Sequence, residues 1–588
     1  MTKSRFTLLG IVLILCLIQA QAQWSLTNRP ATPAVSEPYI VKPADPVDYN
    51  EVKMDFPIAD GKYAPQWDSI KNTYTGTPAW FRDAKFGVFI HWGPQASGKS
   101  GDWYARNMYK EGSKAYKNHL KNFSHPSEFG YKDVLNAWKA PKWDAGALTQ
   151  AFYDAGARFV MAVGVHHDNF DMWNSAYQPW NVTNIGPKKD MIGAWKTEAQ
   201  KRGMKFGITF HHEYTWWWWH NAFGTDKLGE KVGIPYDGHL TKADGKGKWW
   251  DGLDPQLLYT VDMRQYKDID VIAFGNKGIF QDHQAYAQWY AEWWARRIMD
   301  AVDKYDPDLI YTDGNGKWPF SGTHSASGFK CDAAARVVAD FYNKADKRHG
   351  KTDVLACIKF APNNPALGIT YEVNFPSKIM TEKPWIGENP VGDWYYAPGY
   401  TYEASSMVYS LLEYASRDGN YACAVPITPD GDLEPACITM LKDMGEWMKI
   451  NGEGIYGSKA WKTWGEGELI SDPKKPEKAP TLRVFPGGAL SKHHAGFKYE
   501  TSDFRFTEAK NGQLYVWMLR IPEQKTTLKI NSLGSQSEYC KSKIKSVSLL
   551  GYAKKLKWKQ KSDGLYVDFP AGLNLKYAAG LKVELKKK

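Results

Sequence analysis

RFVMAVGVHHD, residues 158–168, decides the fold. Seven apolar or small residues, Phe159 to Val165, run without alternation into His166, His167 and Asp168. A strand buried on one face alternates in polarity; a continuous apolar run of this length suits a strand buried on both faces, as in a parallel sheet covered by helices. The same design recurs in KFGVFIHWG (85–93), KFGITFHHE (205–213) and DLIYTDGNG (308–316), followed by VLACIKF (354–360) and LGITYEV (367–373). Helix-like stretches such as DAGALTQAFYDAGA and YAQWYAEWWARRIMDAVDKY separate them. Each run ends in residues able to do chemistry. A (β/α)8-like barrel predicts that asymmetry, because its sites form at the C-terminal strand ends. An open doubly wound sheet is disfavoured: the first strand lacks a GxGxxG turn, and the chemistry is spread over many strand ends.

Outward from this core, residues 23–66 are rich in proline and alanine and read as an extended N-terminal arm, and residues 67–454 as the barrel. After about residue 455 the pattern becomes alternating. ELISDP, TLRVF, FRFTEAKNGQLYVWML, TTLKI, KIKSVSLLG and LKWKQKSDGLYVDFP, two of them interrupted by Asn-Gly or Asp-Gly, predict an antiparallel β-sandwich over 455–588. At the other end Lys3 and Arg5, the apolar LLGIVLILCLI and the A-x-A of Ala20-Gln21-Ala22 read as a cleaved signal over 1–22, implying a secreted or periplasmic, bacterial protein. The apolar run is too short for stable membrane insertion.

The chain has 588 residues, 43% hydrophobic and 24% charged, which is globular rather than disordered. Its 27 tryptophans suit sugar rings, whose C–H faces stack on indoles, although a large aromatic core would use them as well. The five cysteines beyond Cys16 are scattered without a CxxC, against a zinc cluster or a disulfide-dense scaffold. The net charge of +11, with lysine concentrated in KSKIKS, KKLKWKQK and VELKKK, fits either a solvated basic surface or attraction to an anionic polysaccharide. Nucleic acid is not expected of an exported chain without a binding motif.

Asp313, at the end of DLIYTDGNG, is placed to act where a buried strand opens into the barrel mouth. Glycoside chemistry needs a second acid, for which Glu213, Glu372 and Glu388 qualify; spacing does not choose among them. A zinc enzyme is the rival reading of the histidines. There is no HExxH, and adjacent histidines on a strand point to opposite faces, both reaching one ligand only where the strand ends and twists. Asp237, Asp244, Asp251 and Asp254 lack the spacing of an EF-hand loop.

WFRDAKFGVFIHWG, GDWYARNMY, VGVHHDNFDMWNS, NVTNIGPKKDMIG, KRGMKFGITF and DLIYTDGNG, in one order, resemble the alpha-L-fucosidases of glycoside hydrolase family 29. PYDGHLTKADGKGKWWDGLDPQLLY, TYEVNFPSKI and SRDGNYACAVPITPDGDLEP extend the likeness from Trp80 to Gly457. It implies a retaining exo-glycosidase on a (β/α)8-like barrel followed by a β-sandwich, acting on an oligosaccharide or polysaccharide without metal or cofactor. Residue by residue it makes Asp313 the nucleophile, Glu372 the first choice of acid/base with Glu388 in reserve, and His91, Trp103, Tyr104, His166, His167 and Trp385 substrate-binding. The chain departs from the family pattern at Asp102 (commonly glutamate), Asn169 (commonly glycine), PWIGENPVGDW and GNYACAVPITP. These departures keep a sulfated fucose, an alpha-L-galactosyl unit of an algal polysaccharide or a non-catalytic carbohydrate-binding barrel as alternatives. They single out Asn169 as the first place to look for altered sugar specificity. Trp216–Trp219, followed at once by the polar His220-Asn221, reads as a sugar-stacking platform rather than a helix wedged into the core.

Overall fold

A computed structural model describes residues 24–32, 50–213, 215–262, 283–314, 329–359, 361, 363–467 and 499–586. Residues 1–22, read above as a signal, and ELISDP and TLRVF lie outside the described residues. Eight strands form one parallel sheet: β1 (Phe86–Ile90), β2 (Phe159–Val165), β3 (Lys205–Phe210), β4 (Leu309–Thr312), β5 (Leu355–Ile358), β6 (Ile369–Glu372), β7 (Trp385–Pro390) and β8 (Asn420–Ala424). The order is β5-β4-β3-β2-β1-β8-β7-β6. The ring closes where Gly368 N–H donates to Ala356 O at 2.9 Å, beside a parallel bridge between Ala356 and Leu367.

Continuous apolar runs form these strands because each has two buried faces. Alternate residues Phe89, Met161, Val163, Leu309, Tyr311, Leu355 and Cys357 fill the barrel interior. Their neighbours Val88, Ile90, Val160, Ala162, Ile208, Ile310 and Ala356 join the layer against the helices. Helices Ala145–Asp154, Met191–Lys201, Gln284–Tyr305, Ala333–His349 and Ala404–Ala415 make crossovers, and Pro435–Asn451 follows β8. No described helix separates β5 from β6 or β6 from β7, so the ring is (β/α)8-like with two bare crossovers. β7 and β8 escaped the sequence reading because WIGENP and NYACA interrupt their apolar pattern with polar side chains.

Of the arm, Val52, Met54, Ala59 and Tyr63 donate backbone N–H bonds to Lys330 O, Asp332, Asp340 and Asn343. The stretch is therefore pinned along the helix Ala333–His349. Beyond the barrel, β9 (Lys459–Glu466), β10 (Phe504–Glu508), β11 (Leu514–Met518), β12 (Thr526–Ile530), β13 (Ile544–Leu549), β14 (Lys557–Lys561), β15 (Gly564–Phe569) and β16 (Ala579–Leu585) form two antiparallel sheets. Their orders are β13-β16-β11-β10-β9 and β12-β15-β14, around a separate core containing Phe504, Phe506, Val516, Leu528, Val567 and Leu581. All five described cysteines are free and buried, and no described helix is long and apolar enough to cross a membrane.

Candidate active site

At the C-terminal ends of the strands lies a cavity of about 480 Å³, lined by residues from β1 to β7 and the loops after them. Asp313 stands at its centre. Directly after β4, its N–H donates to Phe210 O at 2.9 Å, which holds the turn against β3. Its carboxylate accepts from His211 Nδ1 at 3.1 Å and Lys359 Nζ at 2.9 Å, and faces His167 Nε2 at 3.6 Å. Burial opposes its charge, but the Lys359 ammonium and the His211 bond outweigh burial and hold Asp313 well below the usual carboxylate range.

Lys359 also donates to Glu372 Oε2 at 2.7 Å, so one ammonium bridges the two carboxylates. Their near oxygens are separated by no more than these two bonds laid end to end. That upper bound admits the carboxyl separation of about 5–5.5 Å at which one acid attacks a sugar while the other reaches the leaving oxygen. Glu372, the last residue of β6, is 45% exposed at the cavity mouth. Glu388 is paired with it in register across β6 and β7 but is only 1% exposed. Glu388 Oε1 accepts from Tyr311 Oη at 3.0 Å. Burial, opposed by Lys359 and reinforced by Glu372 and Asp313, pushes this carboxyl up to about 8. Glu213 does not reach the cavity: it packs against Gly314, where a Cβ would meet Glu213 Oε2 at 2.3 Å.

The histidines form the opposite wall. His166 and His167 both line the cavity, with ring centroids 4.2 Å apart, because β2 ends at Val165 and shifts register just before it. The other pair divides: His211 enters the cavity, while His212 turns outward, stacks on Trp294 and bonds Trp294 O at 3.2 Å. Partners fix the tautomers. Gln95 Nε2 donates to His166 Nδ1 at 2.8 Å, so Nε2 carries the His166 proton. His167 Nδ1 donates to His211 O at 2.7 Å, leaving Nε2 as an acceptor. His91 is buried with both ring nitrogens unpartnered. Burial pushes His91 and His166 well below the usual imidazole range and His167 down to about 3, so all three are neutral at pH 7. Nitrogens of His166, His167 and His211 lie within 4.8 Å of one another, a spacing one metal ion can bridge. In the bonded arrangement His166 Nε2 and His211 Nδ1 carry protons, so they donate to polar groups rather than offer lone pairs to a cation.

Trp103 also lines the cavity, in a left-handed conformation (φ 63°) after Gly101, with its ring edge-on to His167 at 5.8 Å. Tyr104, Trp385 and Asn169 stand apart from the cavity. Tyr104 is fully buried and turned away, its hydroxyl bonded to His119 Nδ1 at 2.6 Å. Trp385 begins β7, at the end remote from the mouth, and packs edge-on against Tyr371 and Tyr414. Asn169 does not touch the cavity: its amide donates to Leu257 O and Leu258 O and accepts from Arg297, which also pairs with Asp171. Trp218 and Trp219 are core residues, not a platform, and the side chains of Trp216 and Trp217 lie outside the described set. Sequence reasoning missed Phe89, Asp102, Tyr311, Lys359 and Trp394 as lining residues. Lys359, a lone cation closing the apolar run VLACIKF, was the legible signal; Phe89 and Tyr311 look like ordinary strand core.

Comparison with known proteins gives this site its context. The alpha-L-fucosidase family model matches residues 52–453, and the alpha-L-fucosidase C-terminal domain matches 499–584. The chain is 25% identical to human tissue alpha-L-fucosidase over 421 residues, 70% of this chain and 75% of the relative. It is 24% identical to the alpha-L-fucosidase of Dictyostelium discoideum, covering 69% and 76%. Among solved structures, the alpha-fucosidase of Thermotoga maritima in complex with a mechanism-based inhibitor superposes with a TM-score of 0.61 at 20% identity, over 89% of this chain and 99% of that one. A trapped covalent intermediate of a GH29 alpha-L-fucosidase from Bacteroides thetaiotaomicron gives 0.55 at 15% identity, over 90% and 100%. With a carboxylate pair at the mouth of a histidine-lined barrel and more than half its length matched by the family model, the chain belongs to the alpha-L-fucosidase family of glycoside hydrolases.

Proposed function

We propose that the protein is a retaining, exo-acting hydrolase of terminal α-L-fucosyl residues, with Asp313 as nucleophile and Glu372 as acid/base. The Lys359 bridge carries this reading, because it holds two carboxyls close enough together for a double displacement. Asp313, kept ionised, attacks the anomeric carbon as Glu372 gives its proton to the leaving oxygen. The covalent glycosyl ester is then hydrolysed by a water that Glu372 deprotonates. Position separates the two glutamates. In a dead-end pocket the leaving group must point outward, toward Glu372 at the mouth, and not toward Glu388 on the floor. His91, His166 and His167 are proposed to bond the sugar hydroxyls, and Trp103 to cover its face. The one cation among the described lining residues, Lys359, is already held by two carboxylates, which argues against a sulfated sugar in this pocket. The leader over residues 1–22 supports export, which N-terminal sequencing of the expressed protein checks.

Incubation with 2-deoxy-2-fluoro-α-L-fucosyl fluoride, followed by peptide mass spectrometry, is expected to label Asp313. A label on Glu372 or Glu388 would overturn the assignment. For the acid/base, azide is expected to restore activity to Glu372→Ala and not to Glu388→Ala.

A further inference from the structure

Of the two sheets of the sandwich, the five-stranded one meets the barrel. Tyr515 and Trp517 of β11 join the barrel's core, while Val516 between them packs with Leu528, Leu565 and Val567 of the three-stranded sheet. The outer face of β12-β15-β14 is left to solvent, and its charge is one-sided. Residues 541–561, which run from the approach to β13 through β14, hold eight lysines and no aspartate, glutamate or arginine.

Register fixes where these lysines stand. Along β14, Lys557, Lys559 and Lys561 are exposed while Trp558 and Gln560 are half-buried. The three lysines therefore share the outer face, their Cα atoms about 7 Å apart. Lys559 is paired across the sheet with Tyr566 of β15, and Tyr566 with Lys529 of β12, which sets one aromatic ring between two cations. Lys561 Nζ lies 4.0 Å from the centre of that ring. Gln560 reaches the opposite way, accepting from Ile544 N–H at 3.1 Å and donating to Ser542 O at 3.2 Å. That brings the exposed Lys541 and Lys543 beside the same edge. Two acids adjoin the face, but Asp563 pairs with Lys529 at 3.0 Å and Asp568 accepts from Thr527 at 2.9 Å. Lys541, Lys543, Lys557 and Lys559 have no ion pair among the described residues. Such a concentration of like charge repels itself, a cost that an anionic partner relieves.

The chemistry of the partner follows from what the face lacks. Without arginine there is no planar fork to read a phosphate or carboxylate bidentately, so recognition is by point charges spaced along a strand. The large exposed apolar side chains of the described residues all lie on the barrel, which leaves this face nothing to insert into a lipid bilayer. An extended chain of sugar rings with repeated anionic groups matches a row of ammonium groups beside an aromatic ring. We propose that the outer face of the β12-β15-β14 sheet binds an acidic polysaccharide and holds the barrel close to a polymer whose terminal sugars it removes. The choice of a glycan rests on the chain's membership of a glycoside hydrolase family; the binding does not depend on which sugar is cleaved.

The test is isothermal titration of the full chain, at low and at physiological salt, with dextran sulfate, polygalacturonate, neutral dextran and vesicles of phosphatidylserine and phosphatidylcholine. Binding is expected to one or both acidic polymers, weakening as salt rises, and not to dextran. Lys557→Thr/Lys559→Thr/Lys561→Thr is expected to raise Kd about tenfold or more. Lys71→Gln/Lys121→Gln/Lys347→Gln, which removes the same charge from exposed barrel positions, is expected to leave Kd within about twofold. Hydrolysis of 4-nitrophenyl α-L-fucoside is expected to be equal in both variants and wild type. Equal weakening by the two variants would mean attraction to net charge alone and overturns the inference. So does the absence of binding to both acidic polymers, equal binding to neutral dextran, or tighter binding to the vesicles. Should the β14 variant fail to fold, acetylation of wild-type lysines read by mass spectrometry decides. Dextran sulfate is expected to shield Lys557 and Lys559 while Lys71 and Lys121 react, and uniform reaction overturns the inference. A folded wild type that hydrolyses no fucoside defeats the fucosidase reading and leaves the binding result standing.

Discussion

At the scale of single residues, the site is a balance of burial against charge. Asp313 sits where desolvation favours its neutral form, yet the proposed attack requires it ionised, and Lys359 tips that balance. Lys359→Met is therefore expected to raise the Asp313 pKa, shifting the acid limb of the kcat/KM profile upward by about one unit or more. Activity below that limb falls, while circular dichroism stays that of the wild type. An acid limb that does not move would show that Lys359 is not what keeps Asp313 charged. Lys359 shows why some site residues are legible and others are not. A cation at the end of an apolar run advertises itself, whereas Tyr311 and Phe89 have the composition of core and acquire a role only through the barrel's closure. Asn169 shows the converse. Its departure from the family's common glycine suggested specificity, but its φ of 65° and its bonds to Arg297 and two carbonyls assign it to the scaffold.

At the scale of elements, the strand ends were readable because buried parallel strands impose a long apolar run and then release it. Which way the next side chains turn depends on where each strand stops, and one or two residues of register decide it. His166 and His167 both enter the pocket past the end of β2, whereas His211 enters and His212 leaves past β3. β7 was not legible as a strand because Glu388, which lines the cavity, and Asn389, which donates to Tyr414 Oη at 3.1 Å, interrupt its apolar pattern. Buried histidines, inside the pocket and outside it, also make stability depend on pH. Burial keeps His91, His166 and His212 neutral well below the usual imidazole range, with His167 at about 3 and His119 at about 4. In the unfolded chain these rings titrate near 6.5, so between that value and the folded ones the unfolded chain binds more protons. Their contribution is complete above about pH 6.5 and is lost as the pH falls toward 3, each ring adding up to ~1.4 kcal/mol per pH unit. The urea midpoint should drop steeply from pH 6.5 to 4.5; a flat midpoint over that range would refute this account.

At the scale of the whole molecule, the question is what ties the sandwich to the barrel. The helix Ala404–Ala415 presents Glu413, wholly enclosed, to Arg505 on β10. Arg505 Nε and Nη2 donate to both carboxylate oxygens at 2.9 and 2.6 Å, and Arg417 Nη1 donates at 2.6 Å from the barrel side. Burial opposes the Glu413 charge, but the two guanidinium groups overcome it and bring the carboxyl down to about 2. Arg417 in turn lies 3.6 Å over the ring of Trp464 on β9, and Trp447 Nε1 donates to Ala578 O at 2.7 Å. The junction is thus a buried ionic group shared between two domains rather than a flexible linker. Such groups are weak evidence for net stability, but removing one partner strands the others without solvent. Arg505→Met is accordingly expected to cost about 3–5 kcal/mol in urea unfolding at pH 7. The sign with pH is fixed by Glu413: its folded pKa is depressed, so its contribution is present above the unfolded value near 4.3 and is lost as the pH falls toward 2. The penalty of Arg505→Met should therefore shrink below about pH 4, where the stranded carboxylate can be neutralised. A loss under about 1 kcal/mol at pH 7 would mean that the junction is solvated and that Glu413 does not couple the domains.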